Sequence, residues 1–120
     1  MLELRPHLVG TDFLQRVRRQ MGGGYFMSCL NDGDVKAVAG FRFGEFLAWG
    51  RTMYVDDLVV KETERGKGYG GQLLEWLKSH ARDNGCNQFH LDSGTHRLDA
   101  HRFYKAHGME ISSYHFSMKL

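Results

Sequence analysis

Arg65-Gly66-Lys67-Gly68-Tyr69-Gly70-Gly71 concentrates glycine and positive charge in one short stretch. Glycine lets a backbone bend tightly and bring its N–H groups close to a ligand, because no side chain intervenes. The stretch lies between an apolar run, Leu58-Val59-Val60, and a segment whose Leu73, Leu74, Leu77 and Ala81 mark an amphipathic helix. The N-terminus of such a helix adds roughly half a positive charge. Together these features make an anion site, most naturally for a phosphate or pyrophosphate. A plain strand-to-helix turn would need one glycine rather than this cluster.

Known phosphate loops narrow the reading. The GxxxxGK[ST] loop fails, because no Lys-Ser or Lys-Thr follows a glycine here. A dinucleotide fingerprint is met in letters by Gly66, Gly68 and Gly71, with Asp92 about 20 residues on, where a ribose-binding carboxylate is expected. Against it, Lys61 to Arg65 separate the strand from the first glycine, and the chain before them reads as antiparallel. Metal chemistry has little to build on. Cys29 and Cys86 form no CxxC, and none of the histidines falls in an HExxH pattern, so no metal is expected. Both cysteines read as reduced thiols, with a single disulfide as the minor alternative, and Cys29 lies in an apolar stretch as a small buried hydrophobe.

Arg65-x-x-Gly68-x-Gly70 resembles the R/Q-x-x-G-x-G/A motif of the GNAT-type N-acetyltransferase superfamily. Ala100-x-x-Phe103-Tyr104-Lys105-x-x-Gly108-Met109 is similar to that family's A-x-x-[LF]-Y-x-x-x-G-[FM] helix, and the resemblance runs from Tyr25 to the last strand. It implies transfer of an acetyl group from acetyl-CoA to a primary amine, without a covalent enzyme intermediate. It also implies that the N–H groups of Gly66 to Gly71, Tyr69 included, hold the pyrophosphate, with Arg65 and Lys67 supplying charge. The end of the Leu58-Val59-Val60 strand would pair with the pantetheine arm through backbone groups of Leu58 and Val60. The resemblance implies Tyr104 as the candidate general acid for the departing thiolate. Its other reading is a core tyrosine on a face shared with Ala100, Phe103 and His107.

An amine with a pKa of about 10 must lose a proton before it attacks. Tyr54-Val55-Asp56-Asp57-Leu58 resembles the Y-[LV]-[ED]-D-[FL] stretch of polyamine and thialysine acetyltransferases, in which the first acid is the proposed base. The resemblance thus implies Asp56 as base, acting directly or through water, and Asp57 as a contact for a small cationic acceptor. Strand alternation sends the two carboxylates to opposite faces. Asp92 and Ser93 end the strand that should splay from Leu58-Val60 and are expected in the acceptor pocket. His96 and His101 reach toward the cleft mouth on this reading, while His107 packs. Arg97 stands where many members carry an asparagine that contacts the coenzyme; a guanidinium can reach a phosphate but lacks an amide's acceptor.

These residues need elements to hold them. Leu2 to Arg5 reads as a short strand stopped by Pro6, and Thr11 as the N-cap of a helix carrying Leu14, Val17 and Met21, ended by Gly22-Gly23-Gly24. Tyr25–Leu30 and Val35–Phe43 read as strands about the turn Asn31-Asp32-Gly33-Asp34, and Phe46–Val60 as a long strand bent at Gly50. After the helix of Leu73 to Ala81 come a strand over Asn87–Asp92 and a second helix closed by Gly108. The tail alternates Tyr114, Phe116, Met118 and Leu120 with polar residues, as a final strand would. The expected order is β-α-β-β-β-α-β-α-β, an α+β fold of GNAT type with a mixed, largely antiparallel central sheet flanked by helices.

Composition bounds what remains. A chain of 120 residues with 42% hydrophobic and 25% charged residues reads as a single domain, residues 1–120. No apolar run is long enough to cross a bilayer and no leader pattern opens the sequence, so a cytoplasmic protein without a membrane partner is expected. A net charge of +2 does not suggest nucleic acid. Three function classes stand. They are an N-acetyltransferase for a small amine or for a protein lysine or N-terminus, an acyl-CoA-binding sensor without turnover, and a dinucleotide-binding module. Whether the chain forms a homodimer is left open.

Overall fold

The computed structural model describes residues 10–120, so the strand expected over Leu2 to Arg5 lies outside the described residues. The first helix, α1 (Gly10–Gly22), begins before Thr11, which therefore sits in its first turn rather than at its N-cap. Its apolar stripe is only partly covered: Val17 is half-buried, whereas Leu14 and Met21 are exposed. Three antiparallel strands follow: β1 (Tyr25–Asp32), β2 (Asp34–Phe46) and β3 (Gly50–Val60). The expected run from Phe46 to Val60 is broken by a tight turn over Leu47 to Trp49, closed by Trp49 N–H on the Phe46 carbonyl at 3.3 Å. That turn carries apolar residues, so only Gly50, at φ 70°, betrays it in the sequence.

A short 3₁₀ turn, Glu62–Glu64, leads to α2 (Tyr69–Asp83), which crosses over to β4 (Gln88–Leu91). The sheet order is β1-β2-β3-β4, with β4 parallel to β3. A last helix, α3 (Leu98–Ala106), is ended by Gly108 at φ 85°. The result is a mixed α+β fold whose largely antiparallel sheet, four-stranded among the described residues, is flanked by helices, as expected. The order differs in one respect: Met109 to Leu120 forms no strand. Tyr114, Phe116 and Met118 are 84%, 93% and 83% exposed, so the tail's alternation has found no sheet to pack on. Cys29 departs from expectation too. It is exposed on β1, an edge strand among the described residues, and both thiols are free.

One side of the sheet makes the core. Ala37, Ala39 and Phe41 of β2 and Met53 and Val55 of β3 pack against Leu73, Leu77 and Ala81 of α2. Truncating a fully buried leucine such as Leu77 to alanine would cost about 2–5 kcal/mol. The same side also receives Leu58 and Val60, so the inward residues of β3 switch from odd to even numbers along the strand. The register gives the cause. Gly40 pairs with Asp57 and Phe41 with Val55, which leaves Asp56 as the extra residue of a β-bulge.

Candidate active site

β3 and β4 pair from Thr52↔Gln88 to Val55↔Leu91 and then part. The end of β3, from Leu58 to Val60, is thus left without a ladder partner on that side among the described residues. A cleft of about 1420 Å³ opens there, bounded by β3, the glycine loop and α3. Leu58, Val59 and Val60 form one wall, and Arg97, Ala100, Phe103 and Tyr104 lie on the other.

The glycine loop closes one end. Gly66 (φ 82°) and Gly68 (φ 85°) adopt the left-handed conformation that L side chains resist, and a Cβ on either would meet nothing within 4 Å. Gly68 caps α2 with no side-chain hydrogen bond. The first amide to bond within the helix is that of Gln72, to Gly68 O at 3.1 Å. The N–H groups of Tyr69, Gly70 and Gly71 therefore have no acceptor within the helix, at its positive end. Gly70 and Gly71 serve close packing instead. A Cβ at Gly70 would sit 3.2 Å from Val60 Cγ2, and one at Gly71 3.1 Å from the His107 ring. The turn at Glu62–Glu64 keeps these glycines away from the strand end, which a dinucleotide fingerprint would not allow.

The basic residues of the loop are placed unequally. Arg65 lines the cleft and its Nε donates to Val60 O at 3.3 Å. Lys67 does not line the cleft; it donates to Glu64 at 2.7 Å, and that bond raises its pKa. Glu64 also pairs with Lys36, and these bonds hold its carboxyl below the ordinary range.

Tyr104 packs edge-on to Phe103, with ring centroids 5.3 Å apart. Burial pushes its phenol above the ordinary value of 10, against an opposing charge on Arg97, so the side chain keeps its proton at neutral pH. His96 lines the cleft, but His101 turns away to bond Gly94 O at 2.7 Å. His107 packs as expected, with Nδ1 at 2.9 Å from Glu75 and its carbonyl accepting from Lys78 at 2.9 Å.

The bulge corrects the expectation for the acidic pair. Both carboxylates lie on the sheet face away from α2, because the extra residue restores alternation only after Asp57. Asp57 accepts from the Tyr25 phenol at 2.8 Å, and Asp56 from Arg42 Nε at 2.7 Å. Tyr25 and Arg42 are cross-strand partners, and the guanidinium sits 5.1 Å from the centroid of the Tyr25 ring. Burial first, then the bond to Asp57, pushes the Tyr25 phenol far up. A Cβ on Gly40 would fall 1.5 Å from the Tyr25 hydroxyl, so only glycine lets this phenol cross β2. Asp56 and Asp92 line the cleft; Asp57 and Ser93 do not. Ser93 Oγ is buried without a hydrogen-bond partner among the described residues.

Several residues here escaped the sequence reading. Burial, and then the bond it donates to Asp92, raises the pKa of Tyr54. His90 lies near-parallel between Tyr54 and Trp49, 3.7 Å from the Trp49 ring centroid, and burial lowers its pKa. Gly40, inside an apolar strand, was the one available signal for the network around Tyr25. Among the described residues no cluster of His, Cys, Asp or Glu could hold a metal, and no helix is long and apolar enough to cross a membrane.

The chain resembles known proteins over most of its length. Residues 2–109 match the family model for the acetyltransferase (GNAT) family. It is 34% identical over 119 residues to the uncharacterized N-acetyltransferase YhdJ of Bacillus subtilis, covering 97% of this chain and 84% of that protein. It is 38% identical over 66 residues to the aminoalkylphosphonate N-acetyltransferase of Salmonella typhimurium, covering 55% of this chain and 43% of that protein. Among solved structures, glucosamine-6-phosphate N-acetyltransferase from Arabidopsis thaliana superposes with a TM-score of 0.74 at 22% identity, over 93% of this chain and 82% of that one. With its fold, its paired motifs and the match over residues 2–109 in agreement, the chain belongs to the GNAT family of acetyltransferases.

Proposed function

We propose that this protein moves the acetyl group of acetyl-CoA onto the primary amine of a small, cationic acceptor by direct attack. The observation that carries the reading is a single cleft. It joins an anion cradle at the start of α2 to the carboxylates of Asp56 and Asp92, with Tyr104 on its wall. The cradle fits a pyrophosphate: its amides are open, Gly66 and Gly68 leave space a Cβ would occupy, and Arg65 stands beside it. When bound, acetyl-CoA supplies the activated acetyl thioester.

The chain's own residues do the rest. The N–H groups of Gly66 to Gly71 and the charges of Arg65 and Arg97 hold phosphate, while Lys67, tied to Glu64, adds only distant charge. The unpaired edge at Leu58 to Val60 orients the pantetheine arm as an added strand would. Tyr104 keeps a proton for the departing thiolate, because burial disfavours its anion. Asp56 receives the proton of the amine, and Arg42 holds its carboxylate in place. Asp92 attracts the acceptor's positive charge at the cleft, while Asp57 and Ser93 act from behind it. Most of the acceleration comes from bringing amine and thioester together.

Named relatives support a small amine: one is an aminoalkylphosphonate N-acetyltransferase, another a thialysine Nε-acetyltransferase. The decisive experiment is calorimetric titration with coenzyme A, acetyl-CoA and NADH, followed by an amine panel read by thiol release. Binding of the coenzyme A species with turnover of a small amine is expected. Binding of NADH alone would overturn the cradle assignment, and binding without turnover of any amine would leave a sensor. Turnover confined to peptide lysines or N-termini would move the acceptor to protein.

A further inference from the structure

Gly66 and Gly68 lead into α2 in left-handed conformations, and the Gly68 cap makes no side-chain hydrogen bond to the helix. Glycine gives the backbone freedom that is lost when a ligand is held, so a cradle built on it gains affinity when another contact fixes it beforehand. Tyr69 is the first side chain beyond these glycines and lines the cleft. Its phenol donates to Asp32 Oδ2 at 3.0 Å, at the tip of the β1–β2 hairpin. The same tip is tied to the other end of the loop. Lys36 is the extra residue of a bulge in β2, since Leu30 pairs with Ala37 and Asn31 with Val35. Its ammonium lies 2.5 Å from Asp34 and 3.3 Å from Glu64, and its carbonyl accepts from the Lys61 N–H at 2.8 Å. Lys61 returns to Asp34 at 3.3 Å. The hairpin tip thus holds the chain both before and after the two glycines.

We propose that Asp32 is a positioning residue for coenzyme binding: through the Tyr69 phenol it fixes the first turn of α2, whose amides meet the pyrophosphate. The inference rests on the acetyl-CoA cradle proposed above. Asp32 itself does not line the cleft, so it acts through Tyr69. An exposed hydrogen bond of this kind adds little to overall stability, because water competes for both partners. Its loss should appear in binding instead, since the ligand must then order a turn that is no longer held. Charge gives the idea a sharp sign. A carboxylate near a phosphate site opposes binding, so removing it would tighten binding if charge were its whole effect. Positioning requires the opposite.

Calorimetric titration of the full chain with coenzyme A, well below the melting temperature, tests this on four variants. Asp32→Ala and Tyr69→Phe should each weaken binding about tenfold, the worth of one such bond. The double variant should be no weaker than either single one. Asp32→Asn keeps an acceptor for the phenol while losing the charge, so it should bind at least as tightly as the parent. Thermal melts of all four should stay close to the parent's. Tyr69→Phe removes a single oxygen and keeps the test open should Asp32→Ala fold poorly. Parent-like or tighter binding by both single variants, losses that add in the double variant, or an Asp32→Asn as weak as Asp32→Ala would overturn the inference. So would affinity lost only in step with a falling melting temperature, which would make the tie structural. Failure of the unaltered chain to bind coenzyme A is a separate result and would sink the cradle itself.

Discussion

Tyr104 and Asp56 would both handle protons, but different features of the structure place them. Tyr104 keeps its proton through burial, whereas Asp56 owes its direction to the bulge. Tyr104→Phe is expected to lower turnover by about 10²-fold while coenzyme affinity stays the same, measured by thiol release and calorimetry. A rate equal to the parent's would leave it a packing residue. Asp56→Asn should lose most activity at low pH, where the free amine is scarce, so the ratio of variant to parent rates should fall as pH falls. An unaltered profile would move the base elsewhere. Gly40→Ala drives a methyl group into the Tyr25 hydroxyl and should cost about 1–3 kcal/mol, read as a lowered melting temperature. The motif that names Asp56 was legible in the sequence. Its orientation was not, because the bulge arises where β3 meets Gly40 of another strand.

Among the elements, the glycine loop with α2 and the Ala100–Gly108 helix could be read from sequence, because local features define them: positive-φ glycines, apolar spacing and helix-ending residues. Two glycines of the loop should nevertheless fail for different reasons. Gly68→Glu projects a carboxylate toward open space in the cradle and should abolish coenzyme A binding, with about 1–2 kcal/mol lost to its left-handed backbone. Gly70→Glu also wedges α2 away from Val60 and Phe103, so it should lower the melting temperature further. Calorimetry and thermal melts of both variants separate the effects; normal coenzyme A binding in either would refute the cradle. The hairpin turn at Leu47–Trp49 hid because its residues are apolar, and in sequence they look like more strand.

The whole molecule couples its acidic face to stability. Tyr25 and Tyr54 each donate to a carboxylate, and burial raises both phenols. An unfolded chain releases these protons at about pH 10, so it binds fewer protons than the native state above that point. Stability is therefore fully present below pH 10 and should fall as pH rises further, with Tyr25→Phe showing a shallower fall in alkaline melts. An identical slope in the variant would exclude Tyr25 as a source. By itself the sequence determined the fold class, the family, the anion loop and the residue types of the cleft, since these follow from spacing and backbone chemistry within short segments. Only the tertiary structure decided that Asp56 and Asp57 share a face, that Lys67 is spent on Glu64, and that the tail's alternation lacks a sheet. Each of those depends on what a distant segment brings alongside. Periodicity gives a strand its two faces, but the neighbouring strand sets its register and decides which face is buried.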